Sequence, residues 1–156
     1  METKKTKIIY YLIIIFSILF VAGIGSLFVN LGMDWFDALQ KPSQFPPNFI
    51  IPIVWTAIYV IFAVVLCLIV WKQKLQKRTI VLLIINGILN ILWCLLFFTL
   101  NQTFLGIVSI VILAIFAFFL VLEIKQYKNL YFYLTAIYPI WATIATCLNI
   151  ALWVLN

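Results

Sequence analysis

Apolar residues in this chain neither alternate nor form narrow stripes. They run unbroken over lengths that cross a bilayer. Five such runs are separated by polar links: Ile8 to Val29, Asn48 to Trp71, Thr79 to Leu100, Thr103 to Leu122 and about Leu130 to Val154. Each holds about 20 residues or more, which at about 1.5 Å per residue crosses a hydrocarbon core roughly 30 Å thick. Helices that are apolar all round have no face to offer water. The pattern predicts an all-α membrane protein, a bundle of five transmembrane helices forming one domain over residues 1–156. The two-residue link Asn101–Gln102 forces the third and fourth helices to be antiparallel neighbours.

The first connection breaks this economy. From Asn30 to Pro47 it reads NLGMDWFDALQKPSQFPP, far longer than crossing back requires. Asp34 to Leu39 predicts about one helical turn, with Asp34 as its N-cap. Pro42, Pro46 and Pro47 then stop any helix from continuing. Long loops of this kind are functional or disordered, and Trp35, Phe36 and Phe45 argue against disorder. The segment is expected to fold over one end of the bundle as a lid.

Composition removes the water-soluble alternative. Hydrophobic residues make up 67% of the chain and charged residues 9%, against about 25% charged in a soluble domain. Mean hydropathy is +1.25. The net charge of +6 is a topology signal. Lys4, Lys5, Lys7, Lys72, Lys74, Lys77, Arg78, Lys125 and Lys128 fall on one side of the membrane, and Lys41 alone on the other. The excess of basic residues on cytoplasmic loops predicts a cytoplasmic N-terminus and an outer C-terminus. A plasma membrane suits long apolar helices, whereas outer membranes favour barrels. At helix ends these cations meet anionic lipid, so membrane lipid is the expected partner and nucleic acid is not. The first run is too long for a signal-peptide core and has no clean cleavage site, so it is expected to be retained.

Conventional catalytic groups are scarce. The chain has no histidine, and its acids Glu2, Asp34, Asp37 and Glu123 all lie away from the middle of a span. Cys67, Cys94 and Cys147 are far apart and lack metal-ligand spacing, so no metal site is expected. Gly23, Gly25 and Gly32 are expected to permit close helix approach.

Polar side chains inside spans turn toward the bundle interior. Asn86, Asn90, Trp93 and Phe97 share one face of the third helix. Trp55 and Tyr59 are neighbours in the second. Trp141, Ala145, Leu148 and Asn149 share a face of the fifth, where Ala145 leaves room. Rings that stack on a flat ligand and amides that fix its polar edge describe a pocket. The competing reading is helix packing, with Asn as glue and Trp at the membrane interface. Trp71 and Trp153 read as interface anchors. Lys41 is either a surface lysine or an attractor for a ligand carboxylate.

The run from Trp35 to Tyr59, WFDALQKPSQFPPNFIIPIVWTAIY, resembles the signature of the TspO/MBR family, the tryptophan-rich sensory and translocator proteins also called peripheral-type benzodiazepine receptors. Supporting runs are N-x-x-x-N-x-x-W-x-x-x-F-F from Asn86 to Phe98 and WATIATCLN from Trp141 to Asn149. The chain departs from the family pattern at Gln44, Phe49 and Pro52–Ile53. The sterol motif of animal members is unmatched, with Ile150 and Val154 at its positions.

The resemblance implies a bacterial plasma-membrane protein, a homodimer, whose five-helix bundle binds tetrapyrroles such as protoporphyrin IX or haem. It also implies binding of isoquinoline- or benzodiazepine-type small molecules. No cofactor is required; porphyrin or haem is the ligand. The ligand-binding residues expected are Trp35, Phe45 and Pro47 in the loop, then Trp55, Tyr59, Asn86, Asn90, Trp93, Phe97, Trp141, Ala145 and Leu148. The expected function is that of a receptor or carrier. One alternative is an enzyme that degrades porphyrin with light and oxygen, with Trp55 and Trp141 as catalytic residues. The other is a non-catalytic membrane scaffold.

Overall fold

The computed structural model describes residues 4–156, and among them it contains helices and no strand. Glu2 lies outside the described residues. The helices are α1 (Lys4–Leu31), α2 (Met33–Ala38), α3 (Ile50–Lys72), α4 (Lys77–Cys94), α5 (Thr103–Lys125), α6 (Asn129–Thr135) and α7 (Ile137–Leu155). α4 continues through a wider π turn, Leu95–Thr99. α6 and α7 together make one span, so five spans are long and apolar enough to cross a membrane.

The spans close into a ring. α1 packs on α3 and α4, α4 on α5, α5 on α7, and α3 on α6 and α7. The chain reverses between α4 and α5 at Asn101, whose φ of 54° lies in the left-handed region that asparagine tolerates better than most residues. At the π turn the Leu100 amide reaches the Leu95 carbonyl at 2.9 Å, and the Gln102 amide reaches Leu96 at 2.9 Å. Phe97 and Phe98, adjacent in this turn, are both buried.

Two details depart from the pattern of the sequence. The fifth apolar run is continuous, but its helix breaks at Ala136. Pro139 accounts for the break: it has no N–H to give the Thr135 carbonyl, and its ring crowds that group. In the loop, the short helix begins at Met33 with Gly32 as its cap residue, and no side chain caps it. Asp34 therefore stands in the first turn, not at the N-cap, where its charge still suits the helix dipole.

The outside of the bundle is as apolar as its core. Phe16, Ile53, Ile88, Phe118 and Val154 all stand exposed, an arrangement that only lipid makes favourable. Trp71 is exposed at the end that gathers the basic residues, and Trp153 at the other. The first is the basic end and the second the loop end.

Candidate functional site

At the loop end, connection 30–49 lies across the bundle. Gly32 makes this possible, because a β-carbon there would sit 1.9 Å from the carbonyl oxygen of Phe98. The close approach sets Phe36, only 3% exposed, against Phe98 at 5.2 Å, Phe45 at 6.2 Å and Phe97 at 6.4 Å between ring centroids. The Phe45 amide bonds the Pro42 carbonyl at 2.9 Å, and the Ile50 amide bonds Pro47 at 2.9 Å. Asn48 Nδ2 donates to Asp37 Oδ1 at 2.7 Å. Lys41 pairs with Asp37 at 3.7 Å, and its ammonium sits 4.5 Å from the centre of the Phe36 ring. Asn156, at the end of α7, holds the loop from the far side. Its Oδ1 accepts from the Gln40 amide at 2.9 Å, and its Nδ2 donates to the Gln40 carbonyl at 3.1 Å.

Beneath the loop the rings continue inward without a gap. Trp35 meets Phe97 edge-on at 5.6 Å, and Trp93 stacks on Phe97 at 6.5 Å. Trp55 lies 5.6 Å from Trp93, 6.2 Å from Tyr59 and 6.1 Å from Tyr138. Gly106 opposite gives Phe97 its place, since a β-carbon there would lie 2.8 Å from that ring. Trp93 Nε1 donates to Asn149 Oδ1 at 3.2 Å. The space left among Phe36, Phe45, Trp93, Phe97, Trp141, Ala145, Leu148 and Asn149 is about 20 Å³, room for about one water. Pro47 is exposed on the loop. The indole N–H groups of Trp55 and Trp141 are buried here without a hydrogen-bond acceptor.

Further toward the basic end the interior opens. A cavity of about 690 Å³ lies between α1, α3 and α4. Its inner wall carries Ile58, Tyr59, Phe62, Leu66 and Tyr138, and its outer lips carry Ile13, Phe16 and Phe20 of α1 and Ile80, Ile84 and Ile88 of α4. Polar groups are few and sit deep. Tyr59 donates its hydroxyl to Asn90 Oδ1 at 2.9 Å. Asn86 Nδ2 bonds the carbonyls of Leu82 at 2.8 Å and Phe116 at 3.2 Å, which ties α4 to α5. Its Oδ1 is buried with no partner. Burying an acceptor unpaired costs about 1–3 kcal/mol.

The structure thus distributes the candidate residues over two places. Tyr59, Asn86 and Asn90 line the open cavity; Trp35, Phe45, Trp93, Phe97, Trp141, Ala145 and Leu148 gather at the filled loop end, and Trp55 bridges the two. Lys41 is engaged by Asp37 and Phe36. Gly25 approaches Cys94 Sγ and Asn90, but Gly23 faces open space. Sequence reasoning missed Phe62 and Tyr138, which meet edge-on at 5.4 Å on the cavity wall. A tyrosine next to a mid-span proline is the signal that marked Tyr138. Cys67, Cys94 and Cys147 are free, and among the described residues no cluster of three metal-binding side chains occurs.

A five-span α-helical bundle whose buried tryptophans gather under a proline-rich loop defines a class of integral membrane protein rich in tryptophan. The TspO/MBR family model matches residues 13–154, and the chain belongs to that family. It is 30% identical over 136 residues to the tryptophan-rich protein TspO of Chlorobaculum tepidum, covering 85% of this chain and 86% of that one. It is 29% identical over 147 residues to the protein of the same name in Archaeoglobus fulgidus, covering 91% and 94%. It is 27% identical over 125 residues to protein CrtK of Rhodobacter capsulatus, covering 78% of each.

Proposed function

We propose that this membrane protein is a receptor or carrier that binds a flat hydrophobic tetrapyrrole, of the protoporphyrin IX or haem type, within the bundle. The observation that carries the reading is the cavity of about 690 Å³ that ends on Tyr59, Asn86 and Asn90. Small-molecule sites measure about 300–1,000 Å³ and are mostly apolar with a few convergent polar groups. Tyr59, Phe62 and Tyr138 offer ring surfaces to its flat body.

The loop-end cluster is a second, closed compartment. A ligand of isoquinoline or benzodiazepine type fits there only if the loop lifts and the rings part. In this reading the membrane is the bacterial plasma membrane, and the charge distribution supports an orientation with the basic end in the cytoplasm.

The test is titration of the purified protein with protoporphyrin IX, in detergent and in lipid, read by quenching of tryptophan fluorescence. Saturable quenching is expected. Tyr59→Phe, which removes the partner of Asn90, is expected to weaken binding roughly fivefold to tenfold, in line with one hydrogen bond of about 1–1.5 kcal/mol. Absence of saturation in both media overturns the reading.

The orphaned indole N–H groups of Trp55 and Trp141 favour one other reading. Trp55 touches the rings of Tyr59 and Trp93, an arrangement of oxidisable rings beside the cavity that suits light- and oxygen-dependent porphyrin breakdown. Illuminated protoporphyrin IX is then consumed faster with wild type than with Trp55→Phe or Trp141→Phe. Equal rates in all three and in protein-free controls exclude it.

A further inference from the structure

We propose that the cavity between α1 and α4 is also a phospholipid site, holding one acyl chain of an anionic lipid from the leaflet at the basic end. The proposal stands on the shape of the cavity and goes beyond the tetrapyrrole reading. α1 and α4 meet toward the loop end, where a β-carbon on Gly87 would lie 3.1 Å from Val21 and one on Gly25 would lie 3.4 Å from Cys94 Sγ. Toward the basic end they part. Along its whole length α1 buries only Ile14 and Gly25. The resulting cleft is open to the side: its lips are Phe16, 71% exposed, and Ile84, 57% exposed.

The depth of the cleft matches one leaflet. Its α3 wall runs from Val70 to Ile58, which at about 1.5 Å per residue is roughly 18 Å. Half of a hydrocarbon core of about 30 Å is about 15 Å. The mouth matches a headgroup. Lys74 lines it, and Lys7, Lys72, Lys77 and Arg78 belong to the same end, where Glu123 is the described acid and pairs with Arg78 at 3.4 Å. Lys7 donates to the Trp71 carbonyl at 2.6 Å, which holds α1 to α3 and leaves the gap on the α4 side. An apolar hollow facing lipid gains dispersion contacts along its length when a chain lies in it.

The experiment counts lipid retained by protein purified from bilayers containing equal phosphatidylglycerol and phosphatidylcholine of the same chains, by native mass spectrometry. Ser17→Trp and Ile84→Trp place an indole in the cleft at positions that are exposed to lipid. Ile115→Trp puts one on α5 away from it, at a residue 49% exposed. Thermal midpoints identify any variant that fails to fold, and either cleft variant alone suffices.

Wild type and Ile115→Trp are expected to hold one phosphatidylglycerol, preferred roughly fivefold over phosphatidylcholine, the effect of about one lysine near the surface. The cleft variants are expected to retain roughly tenfold less, as for a tenfold weaker binding constant. Lys74→Gln is expected to keep a lipid but lose the preference. Equal retention in folded cleft variants and Ile115→Trp, or no lipid on wild type, overturns the proposal. Selective retention with no protoporphyrin IX binding leaves the lipid site standing and removes the tetrapyrrole reading.

Discussion

The two ends of this bundle are built from the same helices and differ in almost everything else. At the loop end, rings from the loop, α3, α4 and α7 interlock until about 20 Å³ remains. Toward the basic end α1 and α4 stand apart around about 690 Å³. Hydrophobicity does not separate them, since both are apolar. Side-chain size along α1 does. Where it carries Gly25 it lies close to Asn90 and Cys94 of α4, and Gly32 just beyond its end meets the Phe98 backbone of the π turn; where it carries Tyr10, Ile13 and Phe16 it stands off. In lipid, where water does not drive helices together, small residues decide where they touch.

That contrast can be broken most forcefully at Gly32. Gly32→Ala places a carbon 1.9 Å from the Phe98 carbonyl oxygen, a backbone atom that has no room to move. Overpacking costs about 1–3 kcal/mol and occasionally more; at this contact a loss of about 3 kcal/mol is expected, lowering the thermal midpoint by roughly 6–12 °C. A midpoint within about 2 °C of wild type contradicts the tight contact.

Gly106→Ala probes the same cluster more gently, because the clash falls on the Phe97 ring. A cost of about 1–2 kcal/mol is expected, with altered near-ultraviolet dichroism from the displaced rings. Asn156→Ala leaves the rings alone and removes the two bonds to Gln40. Faster hydrogen exchange at the Gln40 amide is expected, by about five- to tenfold for roughly 1 kcal/mol of lost local stability, with the midpoint nearly unchanged. Gly23→Ala supplies the opposite sign: nothing lies within 4 Å of a β-carbon there, and the gain in helix propensity is at most about 1 kcal/mol. A midpoint that falls at Gly23→Ala contradicts the open surface of α1 at this residue.

These residues also show how much could be read in advance. The five spans were legible because lipid leaves apolar helices no alternative, and Asn101–Gln102 fixed one antiparallel pair by brevity alone. The aromatic loop end was legible as a set: Trp55, Trp93 and Trp141 are buried in one region. Its state was not. Whether ring faces enclose space or fill it depends on contacts such as Gly106 against Phe97, which pairs residues on different helices and leaves no periodic trace. Asn86 and Asn90 share a face with Trp93, yet they look into the cleft while Trp93 looks into the cluster. One helical face does not mean one chamber: where α1 stands off, the face opens onto the cleft, and where Trp55, Phe97 and Asn149 close on Trp93 it is filled. Pro139 was visible as a helix breaker, but the apolar run around it masked the break.

The Gln40–Asn156 pair has a consequence for how the molecule is made. Its partners are 116 positions apart, and translation delivers the loop long before α7 exists. During insertion the loop must therefore wait, unfastened, while four more spans enter the bilayer. The loop end is completed from the tail of the chain backward, so lesions in α7 should surface as protease sensitivity around Gln40 even when every earlier helix is already in place.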